Sequence, residues 1–149
     1  MPAEFSVTPH RAQQGLIVSR LQQMFASTGV APNLIRSAVD TVERFQGQER
    51  DVIIASYALG VPDTIADEDE FLMSLNRFNV IASRPRAKLV VLVSQEIVDH
   101  LSGDLGALRG SRLLKVFADS FCRSPSPMTL GFLEDGAGRE VPGVFRHRA

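Results

Sequence analysis

The sequence has a single cysteine, Cys122, in 149 residues. That excludes an internal disulfide and any metal site built from clustered cysteines. It also has no excess of positive charge. The formal net charge is −1, so no overall basic field draws the chain to nucleic acid, and any such binding must rest on a few placed groups. No apolar run approaches the ~18 residues that suggest a membrane span. The opening MPAEFSV lacks the basic stretch followed by an apolar one that marks a secretion signal. These absences lead to the expectation of a soluble, intracellular, cytoplasmic chain. Internal repeats are absent, and the G-x-x-x-x-G-K-[ST] pattern of a phosphate-binding loop occurs nowhere.

What is present is a globular composition, 44% hydrophobic and 22% charged. A chain of this length forms one domain and buries roughly 68–70% of its unfolded surface. Strand and helix signals alternate along it. EFSVTP is a short strand candidate ended by Pro9. RAQQGLIVSRLQQMFASTG follows, with Leu16, Ile17, Leu21, Met24 and Phe25 at helical spacing and Gly29 placed to close the helix. LIRSAVDTV is a weaker strand candidate ending near Thr41. DVIIASY reads as a strand buried on both faces of a parallel sheet. GVPDTIADEDE reads as an acidic loop. The segment 71–84 reads as one helix with a stripe of Phe71, Leu72, Leu75, Phe78 and Ala82, and KLVVLVS as a second buried strand. Strands alternating with helices indicate an α/β fold with a mostly parallel sheet flanked by helices. QEIVDHLSGDLGALRGSRLLKVFADSFC suggests one or two further amphipathic helices, RSPSP a linker, and the last stretch a small hairpin around Asp135-Gly136 with a basic end at Arg146 and Arg148. The expected division is a domain over 1–122 and a linker with extension over 123–149.

In α/β sheets ligands collect at the carboxyl ends of strands, and three polar clusters lie beside the strand candidates. VTPHRAQQ (7–14) leaves the first strand, DTVERFQGQERD (40–51) leaves the second, and NRFNVIASRPRAK (76–88) feeds the last. The FQGQERD stretch sets two glutamines and a glycine at the mouth of an apolar strand. Gly47 permits a tight turn and close backbone approach; by itself the stretch also fits an ordinary helix-to-strand turn. Arg84 and Arg86 lie at a helix end. Arginines there either complement the helix dipole in solvent or reach a phosphate with their planar fork. ADEDEF (66–71) has the look of a magnesium-binding acidic motif but follows a proline-containing loop, so it reads as a solvated loop and helix start.

Taken together and in this order, the three clusters resemble motifs IV, V and VI of the second RecA-like domain of superfamily 1 helicases. The likeness is to the branch with a UvrD-like C-terminal helicase domain that includes the nonsense-mediated-decay-type RNA and DNA helicases. It covers residues 7–94. The resemblance implies a RecA-like, P-loop-NTPase-type domain that is the C-terminal half of an ATP-dependent motor acting on single-stranded DNA or RNA, in DNA repair or RNA processing. It implies that ATP and Mg2+ are bound mainly by a first RecA-like domain, which would supply the phosphate loop and the magnesium ligands, and that this chain alone is inactive. Site by site it assigns Arg84 as an arginine finger with Arg86 beside it. Gln13, Gly47, Gln48 and Glu49 fall to the nucleotide, with Gln46 and Gln48 bridging toward the first domain. Thr8, Pro9, His10 and Thr41 fall to nucleic acid, and no metal ligand to this chain.

Two departures from the family pattern stand out. Pro85 occupies a place usually held by alanine, and should stop the helix and push Arg84 toward an extended conformation. Gln14 stands where the family often has an arginine, and Arg11 lies three residues earlier. A second function class stays open at this point, a non-catalytic RecA-like module for docking or nucleic-acid binding.

Overall fold

A computed structural model describes residues 4–44, 49–57, 59–134 and 136–148. The chain divides into two compact units, Met1–Ser111 and Arg112–Ala149. The first is built on four strands: β1 (Glu4–Thr8), β2 (Val39–Thr41), β3 (Arg50–Ser56) and β4 (Pro85–Leu92). They lie in the order β2-β1-β3-β4, and every neighbouring pair is parallel. Helices α1 (Arg11–Met24), α2 (Pro32–Ser37), α3 (Pro62–Asp67), α4 (Asp69–Leu72), α5 (Leu75–Ser83), α6 (Gln95–Asp99) and α7 (Leu105–Val116) follow the strands in the order of an α/β protein. This is the RecA-like α/β fold expected from the motifs.

The core forms where alternate residues of the central strands meet α5. Val7, Ile53 and Ala55 point to one face, and Val42 and Ile81 close on them, with Val80, Leu89 and Val91 at the margin. Among the apolar residues of β3 only Ile53 and Ala55 are fully buried; Val52 and Ile54, on the other face, are half-buried. Strand β4 is at the sheet edge, and none of its residues is fully buried. Apolar runs alone therefore overstate how deeply these two strands sit.

Other local expectations are also revised. Helix α1 has no fully buried residue, and Leu16 (61%) and Met24 (72%) are open to solvent. Its inward stripe is instead Gln13, Gln14, Ile17, Val18 and Leu21, because both glutamines find partners in the sheet. The helix ends at Met24, five residues before Gly29, whose φ of +76° closes a later turn. The first half of the LIRSAVDTV strand candidate is helix α2, with Pro32 in its first turn, where a missing N–H costs nothing; Ile35 is its buried anchor. The second half is β2, as expected.

GVPDTIADEDE is helical as well. Pro62 and Asp63 open α3, where proline and a negative charge both favour a helix start, and Ile65 is fully buried. The helix expected over 71–84 is broken at Met73 and Ser74; Leu72, Met73, Phe78 and Ile81 are buried, whereas Leu75 and Ala82 are exposed. Among the described residues no helix is long and apolar enough to cross a membrane.

The second unit contains the end of α7, a π-helical turn (Phe117–Phe121) and an antiparallel hairpin of β5 (Ser124–Glu134) and β6 (Ala137–His147). Most of RSPSP is thus strand rather than linker. Both strands of a two-stranded sheet are edges, and edges tolerate Pro125 and Pro127. The hairpin turns where the sequence places it, with Gly136 at φ +81°. Of its basic end, Arg146 pairs with Asp119 at 3.0 Å and Arg148 stands over the Phe121 ring at 5.2 Å.

Candidate functional site

Because all four strands run the same way, the sheet has one end made of strand starts and one made of strand finishes. The polar clusters divide between these ends. At the finishing end, Thr8 and Thr41 are register partners on β1 and β2, and both side chains are buried. The Thr8 hydroxyl donates to the Gln13 carbonyl oxygen, and the Gln13 amide nitrogen donates to the Ser56 hydroxyl at 2.7 Å. One glutamine thus ties the ends of β1 and β3 to the first turn of α1. Gln14 is spent similarly, donating to the Val39 carbonyl at 3.0 Å and to Asp40 at 3.3 Å. Where the family often has a phosphate-binding arginine, this chain has a brace for β2.

Pro9 and His10 form the link into α1. His10 is the residue just before the helix, and its N–H donates to the Thr8 hydroxyl at 3.4 Å. Its ring lies 3.2 Å from the Glu68 carboxylate and stacks on Phe71, with ring centroids 5.7 Å apart. Arg77 covers the same Phe71 ring at 3.7 Å and donates to Glu43 at 2.9 Å. Burial alone would raise the Glu43 carboxyl, but its backbone contact, Arg77 and Thr41 outweigh it and hold the group below the ordinary range. A cleft of about 640 Å3 opens beside His10, Phe71 and Arg77. The acidic run that borders it is used for contacts within the chain: Glu68 faces His10, and Asp69 faces His100 at 3.5 Å.

The starting end of the sheet holds the other cluster. Glu49 is exposed just before β3. Gln46, Gly47 and Gln48 lie outside the described residues. Arg50 is buried, donates from its side chain to the Glu49 carbonyl at 2.8 Å, and its backbone N–H donates to the Arg84 carbonyl at 3.2 Å. Arg84 caps α5 and stays in the helical region (φ −101°, ψ −22°). Proline at 85 therefore ends the helix as expected but leaves Arg84 helical rather than extended.

The two arginines of the third cluster differ. Arg86 is exposed and pairs with Asp51 at 2.9 Å, beside an irregularity in the β3–β4 register between Arg50 and Val52. Arg84 is half-buried, and its Nε is buried without a hydrogen-bond partner. A buried guanidinium nitrogen without an acceptor is costly, and an anion brought to it would remove the penalty.

The geometry therefore brings Thr8, Pro9, His10, Gln13 and Thr41 together, and sets Glu49, Arg84 and Arg86 at the opposite end of the sheet. Gln13, expected on the nucleotide side, belongs to the first group. Ser56 and Asp51, which complete the contacts at the two ends, were not singled out by the sequence reading. Both sit inside or beside the DVIIASY run, where a polar residue at a strand end was the available signal. Among the described residues no three His, Cys, Asp or Glu side chains gather as a metal site.

The parallel sheet flanked by helices is a RecA-like architecture. Residues 5–96 match the AAA domain family, and the chain belongs to that family. It is 36% identical over 78 residues to a probable helicase of Dictyostelium discoideum, covering 52% of this chain and 8% of that protein. It is 35% identical over 95 residues to the RNA helicase Mov10l1 of Homo sapiens, covering 62% and 7%. To the probable RNA helicase armi of Drosophila melanogaster it is 32% identical over 89 residues, covering 57% and 7%. The chain thus spans less than a tenth of each of these relatives.

Proposed function

We propose that the chain is the C-terminal motor domain of an ATP-dependent DNA or RNA helicase or translocase. Residues 1–122 form the motor half in this reading and 123–149 an extension. A first RecA-like domain supplies the phosphate loop and the ligands for Mg2+. ATP with Mg2+ bound there would supply the γ-phosphoryl group for transfer to water, and a positive group from this chain would stabilise the transition-state charge on its phosphate oxygens. The observation that carries the proposal is Arg84, whose Nε is buried without an acceptor while its neighbour Arg86 is neutralised by Asp51. A rigid fork held in this state fits a phosphate oxygen of a nucleotide presented by another domain.

Division of the site between the two sheet ends supports the assignment of roles. Glu49 serves the nucleotide from the starting end, together with Arg84; Gly47 and Gln48, outside the described residues, are assigned to the nucleotide as well. Thr8, Pro9, His10 and Thr41 serve single-stranded nucleic acid from the finishing end. Gln13 acts between them as a brace rather than as a nucleotide ligand, since Thr8 and Ser56 already occupy its amide.

The test compares this chain alone with the same chain in a polypeptide that also carries a phosphate-loop domain. The isolated chain should hydrolyse no ATP in the presence of single strands, and the two-domain protein should. Turnover by the isolated chain would overturn the division of labour. Absence of turnover in the two-domain protein would leave a non-catalytic nucleic-acid or docking module.

A further inference from the structure

The finishing end of the sheet continues into a second cleft to which none of the motif assignments gives a ligand. It has a volume of about 510 Å3 and runs along α1. Arg11 and Gln14 stand at its α1 start, Ser19 and Gln22 further along the helix, Arg36 comes from α2, and Arg44 from the turn after β2. Three arginines from three separate elements thus face one groove in a chain whose net charge is −1.

Their charges are barely compensated. No carboxylate lines the groove. Arg44 is 70% exposed and 3.8 Å from Asp40, whose carboxylate oxygen already accepts the Thr41 N–H at 2.9 Å. Arg11 and Arg36 have no ion pair among the described residues. Glu43, the next acid along the chain, is engaged by Arg77. The acidic run 67–70 borders the other cleft. Positive and negative charge are therefore sorted onto different surfaces.

The geometry points to this groove as a binding site for the sugar-phosphate backbone of a single-stranded nucleic acid. Exposed arginine forks bind phosphate oxygens in bidentate fashion, and the Ser19 and Gln22 side chains add neutral donors. Val18 is the one apolar side chain in the lining, so the groove has none of the apolar or aromatic pockets with which surfaces anchor a peptide. Its position also fits a strand arriving from the threonine edge. The Arg44 N–H donates to the Thr41 carbonyl at 3.1 Å, so the groove begins where that edge stops. The inference rests on nucleic acid meeting Thr8 and Thr41, and it extends the contact by three phosphates.

The experiment is a fluorescence-anisotropy titration of this chain with a labelled oligo-deoxythymidine across a salt series. Wild type is compared with the triple variant Arg11→Gln, Arg36→Gln, Arg44→Gln, and with Arg20→Gln, an exposed arginine outside the groove, as the charge control. Melting curves check folding. Neutralising three phosphate contacts should weaken binding roughly tenfold at about 50 mM salt and reduce the salt slope by about 2, since each single-strand contact contributes about 0.7. Arg20→Gln should leave the slope nearly unchanged. Equal loss per charge in Arg20→Gln would reduce the effect to net charge and overturn the site. If the triple variant binds like wild type while Thr41→Ala weakens binding, the groove is excluded and the threonine edge stands. A wild-type chain that binds no oligonucleotide overturns both. Tighter binding of poly-glutamate than of the oligonucleotide would show an acidic peptide to be the occupant, and would overturn nucleic acid.

Discussion

The backbone N–H of Arg50 donates to the carbonyl oxygen of Arg84 across 3.2 Å. Through this bond the end of α5 is fixed to the first residue of β3. Arg84 is therefore placed by the sheet and not by its helix alone. A side chain anchored this way is held in direction, as a residue meeting a ligand from another domain requires.

At the other end of the sheet, Gln13 is the structural counterpart. Replacing it with leucine leaves the Thr8 and Ser56 hydroxyls without their shared partner, and the Thr8 side chain is fully buried. Gln13→Leu should lower unfolding stability by about 1–3 kcal/mol, the range for an unsatisfied buried polar group, as read from urea denaturation. Unchanged stability would free Gln13 for the nucleotide role that the sequence suggested.

Gly110 is required by close approach rather than by backbone angle. A methyl group there would meet the carbonyl of Met73 and press on the backbone N–H of Leu75, at the break between α4 and α5. Neither contact is with a flexible side-chain tip. Gly110→Ala should therefore destabilise by about 1–3 kcal/mol, as overpacking does, despite the higher helix propensity of alanine. A gain in melting temperature would mean that α7 does not seat against this break.

Asp69 gives a pH signature. Its carboxyl is held below the usual range chiefly by the Ser102 hydroxyl, with burial opposing, and then by His100. A group with a depressed folded-state pKa contributes stability above its unfolded value of about 3.9 and loses it as pH falls through the folded value. Asp69→Asn should be less stable than wild type near neutrality, with the gap closing below about pH 4. Denaturation midpoints over a pH series check this; a gap that persists into strong acid would show that the carboxylate charge is not its source.

Much of this was legible in the sequence, and for a physical reason. Apolar β-branched runs such as DVIIASY have few alternatives to a sheet, and polar residues abutting them have few alternatives to a site. Short segments were harder to read. Residues 32–37 and 62–67 become helices because Pro32 and Pro62 open them and one isoleucine in each, Ile35 or Ile65, anchors them. A single buried residue leaves no periodicity to detect. The face of α1 was misread because its glutamines bond to the sheet, which a hydrophobicity pattern cannot register. Likewise, the distribution of the motifs between two sheet ends follows only from the parallel register.

The most direct measurement is the ATP turnover of Arg84→Ala and Arg84→Lys in the two-domain protein, with nucleotide affinity and a melting curve measured alongside. A finger acting on the developing charge should lower kcat by roughly 10³–10⁵ on removal, with a much smaller loss of ATP affinity. Lysine should not restore it, because a point charge cannot replace the fork, and melting should change little because the side chain is only half-buried. Near-normal turnover in Arg84→Ala would contradict the assignment and leave Arg84 as a helix-end charge, with Arg86 the next residue to test.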